Sequence, residues 1–279
     1  MLYRVLITPL FLIPGTILAQ GAGGLLRDAS QLDSDGKTRE AKVLFQKAID
    51  AAPDPAAKAQ AQRGMAMSYA FDGDCAGTVK YEELVIAYWV TREPAEPENA
   101  FFQEGEIANE AARVCIDAGD LATAERWYRK GSELGNQEPE PRTHPRSLWD
   151  FRLAHALARV AARRGDTAEA KRQVALARKA LDSDSAMASG QERFFPYLTG
   201  YVALFLGDAK TAEAEFTRGL ALRGNQNDPF QNWLLGLAWE KLGNGLKAVA
   251  QYQKAYELAT GHNPPAAFVR PTVRRKLSL

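Results

Sequence analysis

The side chains best suited to bind another molecule are three arginines that lie close together in the sequence. Arg152, Arg159 and Arg163 fall on one face of a helix at helical spacing. The planar guanidinium of arginine forms forked contacts with carboxylates. Like charges placed this way repel each other by about a few tenths of a kcal/mol per pair, so acidic neighbours or a ligand should compensate them. Two interpretations are open: a ligand site, or a solvated face paired with glutamates.

Sequence signatures of catalysis or metal binding do not occur. The histidines His144, His155 and His262 form no metal-binding pair at helical spacing, and there is no HExxH or CxxC motif. Gly-x-Ser-x-Gly elbows and phosphate-binding glycine loops are also missing. The many carboxylates are explained by solvated helix faces. We therefore expect a protein that is not an enzyme and that uses no cofactor or metal.

Composition excludes several classes of protein. Of 279 residues, 46% are hydrophobic and 25% are charged, which is ordinary for a folded chain and excludes a disordered one. The 35 basic and 34 acidic side chains leave a net charge of +1, which excludes binding through global basicity. A single long uncharged stretch excludes a multi-span membrane protein.

That stretch lies at the N-terminus and has the pattern of a secretory signal peptide. One positive charge at Arg4 precedes an uncharged run over residues 5–18, and small residues follow from Ala19. The run is short for a membrane span, and Pro9 and Pro14 interrupt it as a helix. We expect residues 1–19 to be a cleaved signal and the protein to be exported, most simply to the periplasm. The alternative is an uncleaved signal anchor in the inner membrane. Export also disfavours nucleic acid as a partner.

A repeated pattern organises the rest of the chain. Each unit has a small residue, a glycine seven positions later, and a second small residue five positions after the glycine. In most units a large side chain follows four positions after the second small residue. The six glycines are Gly36, Gly73, Gly119, Gly165, Gly207 and Gly243. Apolar positions recur at three and four residues, so each half-unit is predicted to be an amphipathic helix. The glycine ends the first helix, and the Asp that follows it in four units can cap the second. A single hairpin of this kind cannot bury its apolar face, whereas stacked hairpins form a continuous core.

The last unit carries the clearest family resemblance. Its small and large positions follow the tetratricopeptide repeat pattern in order: Gly236, Trp239, Gly243, Ala248, Tyr252 and Ala255. The resemblance extends over about residues 22–262 and implies an all-α, right-handed α-solenoid of about six antiparallel helical hairpins. Three positions depart from the pattern: Thr78 and Glu82 in the second unit, and Val174 in the fourth.

The resemblance implies that the first helix of each hairpin lines a concave groove where a protein or peptide partner binds. The groove positions it implies are Asn109, Arg113, Arg152, His155, Arg159, Arg163, Tyr197, Tyr201, Phe230 and Trp233. The middle of the groove is then basic and its C-terminal half aromatic. The alternative is that the arginines are solvated and the aromatic rings belong to the core between repeats; for Tyr197, Tyr201 and Trp233 the core interpretation is favoured.

The two cysteines occupy the same end of adjacent predicted hairpins. Cys75 follows the turn of the second unit, and Cys115 lies four residues before the glycine of the third. In an exported protein they could form a disulfide. The alternative is that Cys115 is a small core residue and Cys75 a free thiol.

Residues 263–279 are predicted to form a basic C-terminal tail. Pro264 and Pro265 should end the last helix, and four cations follow at Arg270, Arg274, Arg275 and Lys276. The tail either frays, caps the solenoid, or contacts an anionic lipid or polymer. Exported relatives of this family often serve envelope assembly, secretion or polysaccharide export. We therefore expect an extracytoplasmic scaffold for a partner protein. The alternative is direct binding of a glycan or other polyanion by the arginines and groove aromatics.

Overall fold

A computed structural model describes residues 22–279, so the expected signal peptide over residues 1–19 lies outside the described residues. From Ala22 onward the described chain is helical, with fourteen α-helices, one short 3-10 helix and no strand. The helices are α1 (Ala22–Ser34), α2 (Thr38–Asp50), α3 (Pro55–Phe71), α4 (Cys75–Val90), α5 (Pro97–Ala118), α6 (Leu121–Gly135), α7 (Arg146–Arg163), α8 (Thr167–Ser183), α9 (Ser185–Gln191), α10 (Phe195–Phe205), α11 (Ala209–Ala221), α12 (Pro229–Lys241), α13 (Gly245–Leu258) and α14 (Pro264–Leu277), and the 3-10 helix is Glu192–Phe194.

Twelve of these helices pack as six consecutive hairpins. The pairs are α1 with α2, α3 with α4, α5 with α6, α7 with α8, α10 with α11, and α12 with α13. Each hairpin also packs against the next, as neighbouring units of a solenoid do. The predicted all-α solenoid of about six helical hairpins is confirmed.

The turns inside the hairpins use the predicted glycines. All six have positive φ, between 70° and 95°, a conformation that glycine adopts without a steric penalty. At Gly119 the residue forms the left-handed C-cap of α5. Asp120 then caps α6, because its carboxylate accepts a hydrogen bond of 3.0 Å from the backbone N–H of Thr123. Asp74, Asp166 and Asp208 cap the corresponding helices in the same way.

The repeated small and large residues form the core. Ala66, Ala112 and Ala158, where the helices of a hairpin cross, are fully buried. Phe45 and Phe216 fill the large position and are also buried. Burial of these apolar side chains against the neighbouring hairpin is the main force that holds the array together.

The second hairpin accommodates its departures from the pattern in different ways. Thr78 is fully buried, and its hydroxyl donates hydrogen bonds to the carbonyls of Ala66 (3.2 Å) and Asp74 (2.9 Å). Glu82 is also fully buried, but neither carboxylate oxygen has a hydrogen-bond partner among the described residues. Burial raises the pKa of Glu82 well above its ordinary value, and the nearby Glu110 acts in the same direction.

A disulfide joins the second and third hairpins. The sulfurs of Cys75 and Cys115 are bonded, and their Cα atoms lie 4.7 Å apart. The bond connects the start of α4 to the last turn of α5.

The chain end is helical and packs on the solenoid, as the capping alternative for the tail expected. Residues 264–277 form helix α14, whose Ala266, Val269 and Val273 side chains are fully buried. This helix packs against α1, α3 and α5 as well as α12 and α13. The C-terminal segment therefore lies on the first helices of several hairpins and links the two ends of the solenoid.

A polar network also holds the two ends together. The His262 Nε2 and the carboxylate of Asp33 in α1 lie 2.8 Å apart, and Ser68 of α3 donates a hydrogen bond of 2.8 Å to the same carboxylate. Arg270 and Arg274 of α14 each donate a hydrogen bond of 2.9 Å to the carbonyl of Ser34. The contacts of His262, Arg270 and Arg274 span more than two hundred residues of sequence, so the first and last hairpins are not independent ends.

Candidate functional site

The candidate site is a cavity of about 310 Å³ on the first helices of the third, fourth and sixth hairpins. Helices α5, α7 and α12 form most of its wall. The other lining residues are Tyr128 of α6, Gln191 of α9, Phe194 of the 3-10 helix, Tyr197 of α10, Asp228 before α12 and Pro265 of α14. Seven of the ten groove residues predicted from the sequence line this cavity: Asn109, Arg113, Arg152, His155, Arg159, Tyr197 and Phe230.

Arg159 is the most unusual of these side chains because it is a buried cation surrounded by neutral groups. Its Nε donates to the carbonyl of His155 (3.3 Å), Nη1 to the Tyr197 hydroxyl (3.0 Å) and Nη2 to the Tyr128 hydroxyl (3.2 Å). Only 6% of the residue is exposed, and no ion pair among the described residues includes it.

Three tyrosine rings surround the guanidinium of Arg159. Its guanidinium carbon lies 5.4 to 5.8 Å from the ring centroids of Tyr128, Tyr197 and Tyr201. Burial alone lowers the pKa of Arg159, but the three tyrosines outweigh it, so the net pKa is raised. Removing such an ion from water without a carboxylate partner is costly. Arg159 therefore provides a strong positive charge at the base of a partly open cavity.

His155 lies one turn before Arg159 and contributes no charge. Burial lowers its pKa well below the ordinary value, and the positive charge of Arg159 lowers it further. The ring is 8% exposed, and its Nε2 has no hydrogen-bond partner among the described residues. The neutral ring packs 5.3 Å from that of Tyr197, measured between centroids. His155 thus adds a buried ring nitrogen without a hydrogen-bond partner in the described chain to the cavity wall.

The two other arginines of the cavity differ in whether an acidic side chain pairs with them. Arg152 forms a 2.5 Å ion pair with Glu106 of α5 and lies over the ring of Trp149. Arg113 forms no hydrogen bond or ion pair within residues 22–279, although its charge acts on Asp117 one turn away. The site therefore contains one paired arginine, one half-buried arginine without an ion-pair partner, and the buried Arg159.

The remaining three predicted groove residues lie beside the cavity. Arg163 donates a hydrogen bond of 3.3 Å to the hydroxyl of Tyr201, which is itself buried in the core. Trp233 stacks on Phe230 with ring centroids 5.6 Å apart and packs against the same core. For Tyr201 and Trp233 the structure places the rings in the core between hairpins, as the alternative interpretation expected.

Several cavity residues are not among those that the repeat pattern indicated. Phe151 and Gln231 lie on first helices, but one position away from the places that the family resemblance marks. Phe194 and Pro265 come from segments outside the repeat, so no repeat-based signal could find them. The Gln231 side chain donates to Asp228 (3.1 Å), while its Oε1 has no partner among the described residues.

Residues 22–279 give no support for a metal site or for a membrane-spanning helix. No group of three or more His, Cys, Asp or Glu side chains is arranged there to hold a metal ion. Within the same range, every helix is too short or too polar to cross a bilayer.

The fold defines a helical-repeat protein, and sequence comparison gives its family. The profile of the tetratricopeptide repeat matches residues 108–130, the end of α5 and most of α6, and residues 152–175, which cover most of α7 and half of α8. Together with the six stacked hairpins, these two matches support a tetratricopeptide repeat protein, as the resemblance stated from the sequence indicates. No curated protein matches the chain significantly. Repeats of this family generally serve as non-catalytic scaffolds for protein–protein interaction.

Proposed function

We propose that this protein is an interaction scaffold that binds a segment of a partner protein in the concave cavity between α5, α7 and α12, and that it catalyses no reaction. The observation that carries the proposal is the partly open cavity around Arg159, a buried charge with no ion-pair partner in the described chain. Helix α14 packs along α3 and α5, so it covers much of the first-helix surface. The cavity beside Pro265 is a part of that surface that stays accessible.

The setting we propose is outside the cytosol, most simply the periplasm, with a signal-anchored form as the alternative. The signal-like sequence at the N-terminus supports this, and so does the Cys75–Cys115 disulfide, since disulfides persist mainly in oxidising compartments. Envelope assembly, secretion or polysaccharide export are the processes that such a scaffold would serve.

Site-specific photo-crosslinking in cells that express the full chain tests the location of binding. A photoreactive amino acid replaces Asn109, which lines the cavity, or Ala214 on the exposed side of α11. We expect a discrete crosslinked partner from position 109 and none from position 214. Equal crosslinking at both positions, or a partner captured from position 214 alone, would contradict binding in the cavity.

Direct binding of a glycan or other polyanion is the second candidate, and Arg113 favours it because that charge has no ion-pair partner in the described chain. The cations of the C-terminal helix give less support to polyanion binding, because several of them are already engaged. Arg270 and Arg274 are engaged with Ser34, and Lys276 pairs with Glu240 at 2.6 Å. The same engagement argues against a membrane contact through this segment. A polyanion complex should dissociate as salt is added, whereas a mainly apolar peptide complex should not.

A further inference from the structure

We propose that the turn between α12 and α13, together with the outer face of α13, forms a contact surface for an anionic membrane. This surface, the α13 patch, consists of the aliphatic residues Leu242, Leu246 and Val249 and the cations Lys241, Lys247 and Lys254. The inference goes beyond the proposed function, because the patch lies outside the concave cavity. It also differs from a contact through the C-terminal helix, whose cations are engaged with other groups.

The exposure of the aliphatic side chains is the first argument. Leu246 is 89% exposed, which makes it the most exposed large hydrophobic residue within 22–279. Leu242 at the end of α12 is 42% exposed, and Val249, three residues further along α13 than Leu246, is 48% exposed. Residues three apart on a helix are neighbours on its surface. The patch is therefore a cluster, whereas single scattered apolar residues are what a protein surface ordinarily shows.

The repeat shows that the fold does not require a leucine at position 246. This position lies three residues after the hairpin glycine, and it is exposed in all six hairpins. The other five hairpins have a cation or an alanine there: Arg39, Ala76, Ala122, Ala168 and Lys210. A leucine adds no buried contact within the hairpin at such a position. Its presence in the last hairpin is explained by a contact with something outside the chain.

Positive charge is concentrated in the same part of the protein. Of the 35 basic and 34 acidic side chains, seven basic and only two acidic ones lie within residues 229–279, which gives this segment a net charge of +5 and leaves −4 on the rest. One of the two acids, Glu240, pairs with Lys276 at 2.6 Å. The other, Glu257, lies about three turns beyond Leu246 on α13. The patch therefore meets a negatively charged partner with little repulsion from its own acids.

The three lysines of the patch have no acidic partner. Lys241, Lys247 and Lys254 are exposed and form no ion pair in the described part of the chain. The ammonium group of Lys247 lies 3.9 Å from the centre of the Trp239 ring, which holds it beside the turn. Lys247 and Lys254 are two helical turns apart, so they lie on the same side of α13. Aliphatic side chains flanked by lysines are typical of a helix that lies in a membrane interface, where the lysines attract anionic lipid.

The shape of the patch favours a membrane over a protein or a soluble polyanion. A side chain that is 89% exposed at a turn projects from the surface, and lipid chains can enclose it without a preformed pocket. Three aliphatic residues are far fewer than the roughly 20 to 30 residues that each side of a stable protein interface contributes. A soluble polyanion would contact the lysines and leave the aliphatic side chains in water.

Photo-labelling of lipid vesicles tests the contact directly. In the full chain, an apolar photoreactive amino acid replaces Leu242 of the patch or, as the control, Leu176 on α8, which has a similar exposure of 40%. The vesicles contain phosphatidylcholine alone or with about 30% phosphatidylglycerol. We expect lipid adducts from position 242 with the anionic vesicles, and few or none from position 176. Residues 1–19 are the same in both proteins, so their own affinity for lipid cannot produce this difference.

Charge variants of the protein labelled at position 242 test the role of the lysines. Substitution of all three lysines of the patch by glutamine should lower the yield of lipid adduct by about fivefold for each lysine removed. The matched control removes three exposed cations from α8 and should label like the parent protein. Its substitutions are Lys171→Gln, Arg172→Gln and Lys179→Gln.

Aliphatic variants of the same labelled protein separate a membrane from a polyanion. Leu246→Gln with Val249→Gln should lower the yield of adduct by about tenfold or more, because the apolar area that enters the lipid is lost. The control, Val43→Gln with Leu84→Gln, changes two aliphatic residues of other hairpins that are 53% and 42% exposed, and it should have no effect.

Three results would overturn the proposal: equal lipid labelling from positions 242 and 176, labelling that survives the lysine substitutions, or labelling that survives the aliphatic substitutions. The last result would mean that the lysines attract a polyanion while the aliphatic side chains stay in water. No substituted residue lines the concave cavity. Crosslinking at position 109 therefore tests the proposed scaffold function separately, and either proposal can fail while the other stands.

Discussion

The stability of this protein should fall as the pH rises through neutrality, and Glu104 should account for a large share of that fall. Glu104 lies in α5, is 1% exposed, and neither of its oxygens has a hydrogen-bond partner among the described residues. Burial raises its pKa from the ordinary 4.5 to about 7, and the negative charge of Glu93 adds to the effect. The folded state therefore holds a proton that the unfolded state has released at pH 6.

The sign and size of the effect follow from that difference in pKa. A group whose pKa is higher in the folded state contributes fully below the unfolded value and loses its contribution as the pH rises past the folded value. Between pH 4.5 and pH 8 the loss is about 3 kcal/mol, at 1.36 kcal/mol per pKa unit. Glu104→Gln keeps a neutral side chain of the same shape at every pH. It should leave stability nearly unchanged at pH 4.5 and raise it by up to about 3 kcal/mol at pH 8.

Urea denaturation at half-unit steps from pH 4.5 to pH 8 checks this prediction. It compares the wild type, Glu104→Gln and the control Glu133→Gln, whose side chain is exposed. The difference between wild type and Glu104→Gln isolates this carboxyl from other groups, such as Asp117, whose burial also raises the pKa, to about 6. A stability difference that does not vary with pH, or a variant less stable than the wild type at pH 8, would refute the argument from burial.

Three further predictions concern the links and the packing of the solenoid. The double substitution Cys75→Ala and Cys115→Ala should lower the free energy of unfolding by about 4 kcal/mol, since the disulfide closes a loop with a sequence separation of 40. If neither the reductant nor the substitution changes the melting temperature, the disulfide does not contribute to stability. Val273→Asp places a charge at a fully buried position of α14 and should destabilise the protein by at least about 3 kcal/mol. Hydrogen exchange should then show loss of protection in α1 as well as in α14, whereas loss confined to α14 would mean that the helix does not join the two ends. Gly236→Ala should cost about 1 to 3 kcal/mol because the added Cβ would lie 2.5 Å from the Tyr252 ring; Gly190→Ala, where nothing lies within 4 Å, is the control and should change stability by less than about 0.5 kcal/mol.

The hairpins were predictable because each rests on local chemistry that repeats. A glycine with positive φ followed by a capping acid, as at Gly119 and Asp120, ends one helix and starts the next without reference to the rest of the chain. The alanines at which the two helices of a hairpin cross, and the large residue that follows, were predictable for the same reason. Glu82 shows the limit: a charged residue stands at the large position of the pattern, yet the hairpin buries it completely.

The last helix was missed because its prolines were interpreted only as a stop signal. Proline is equally typical of the first turn of a helix, and the side chain of Asn263 caps α14 by accepting from the backbone N–H of Ala266 at 3.1 Å. The segment Asn-Pro-Pro was therefore a start signal as well. That α14 returns to α1 depends on contacts such as His262 with Asp33, which no local pattern reveals.

The candidate site was predictable in part. The repeat register placed Arg113 and Arg159 on the same surface, and the structure brings both to one cavity. The register could not show that Arg159 is surrounded by hydroxyl groups, because Tyr128 and Tyr197 lie 31 and 38 residues away in sequence. Whether these residues bind a partner stays a prediction.

Native co-purification with matched charge variants tests the central claim most directly. One variant carries Arg113→Gln and Arg159→Gln in the cavity, and the other carries Arg164→Gln and Arg172→Gln on exposed helix surfaces. Both lose two positive charges, and circular dichroism first establishes that both are as helical as the wild type. We predict that the wild type and the exposed-surface variant capture the same partner and that the cavity variant does not. Equal capture by the two variants would contradict the claim that the concave cavity is the binding site.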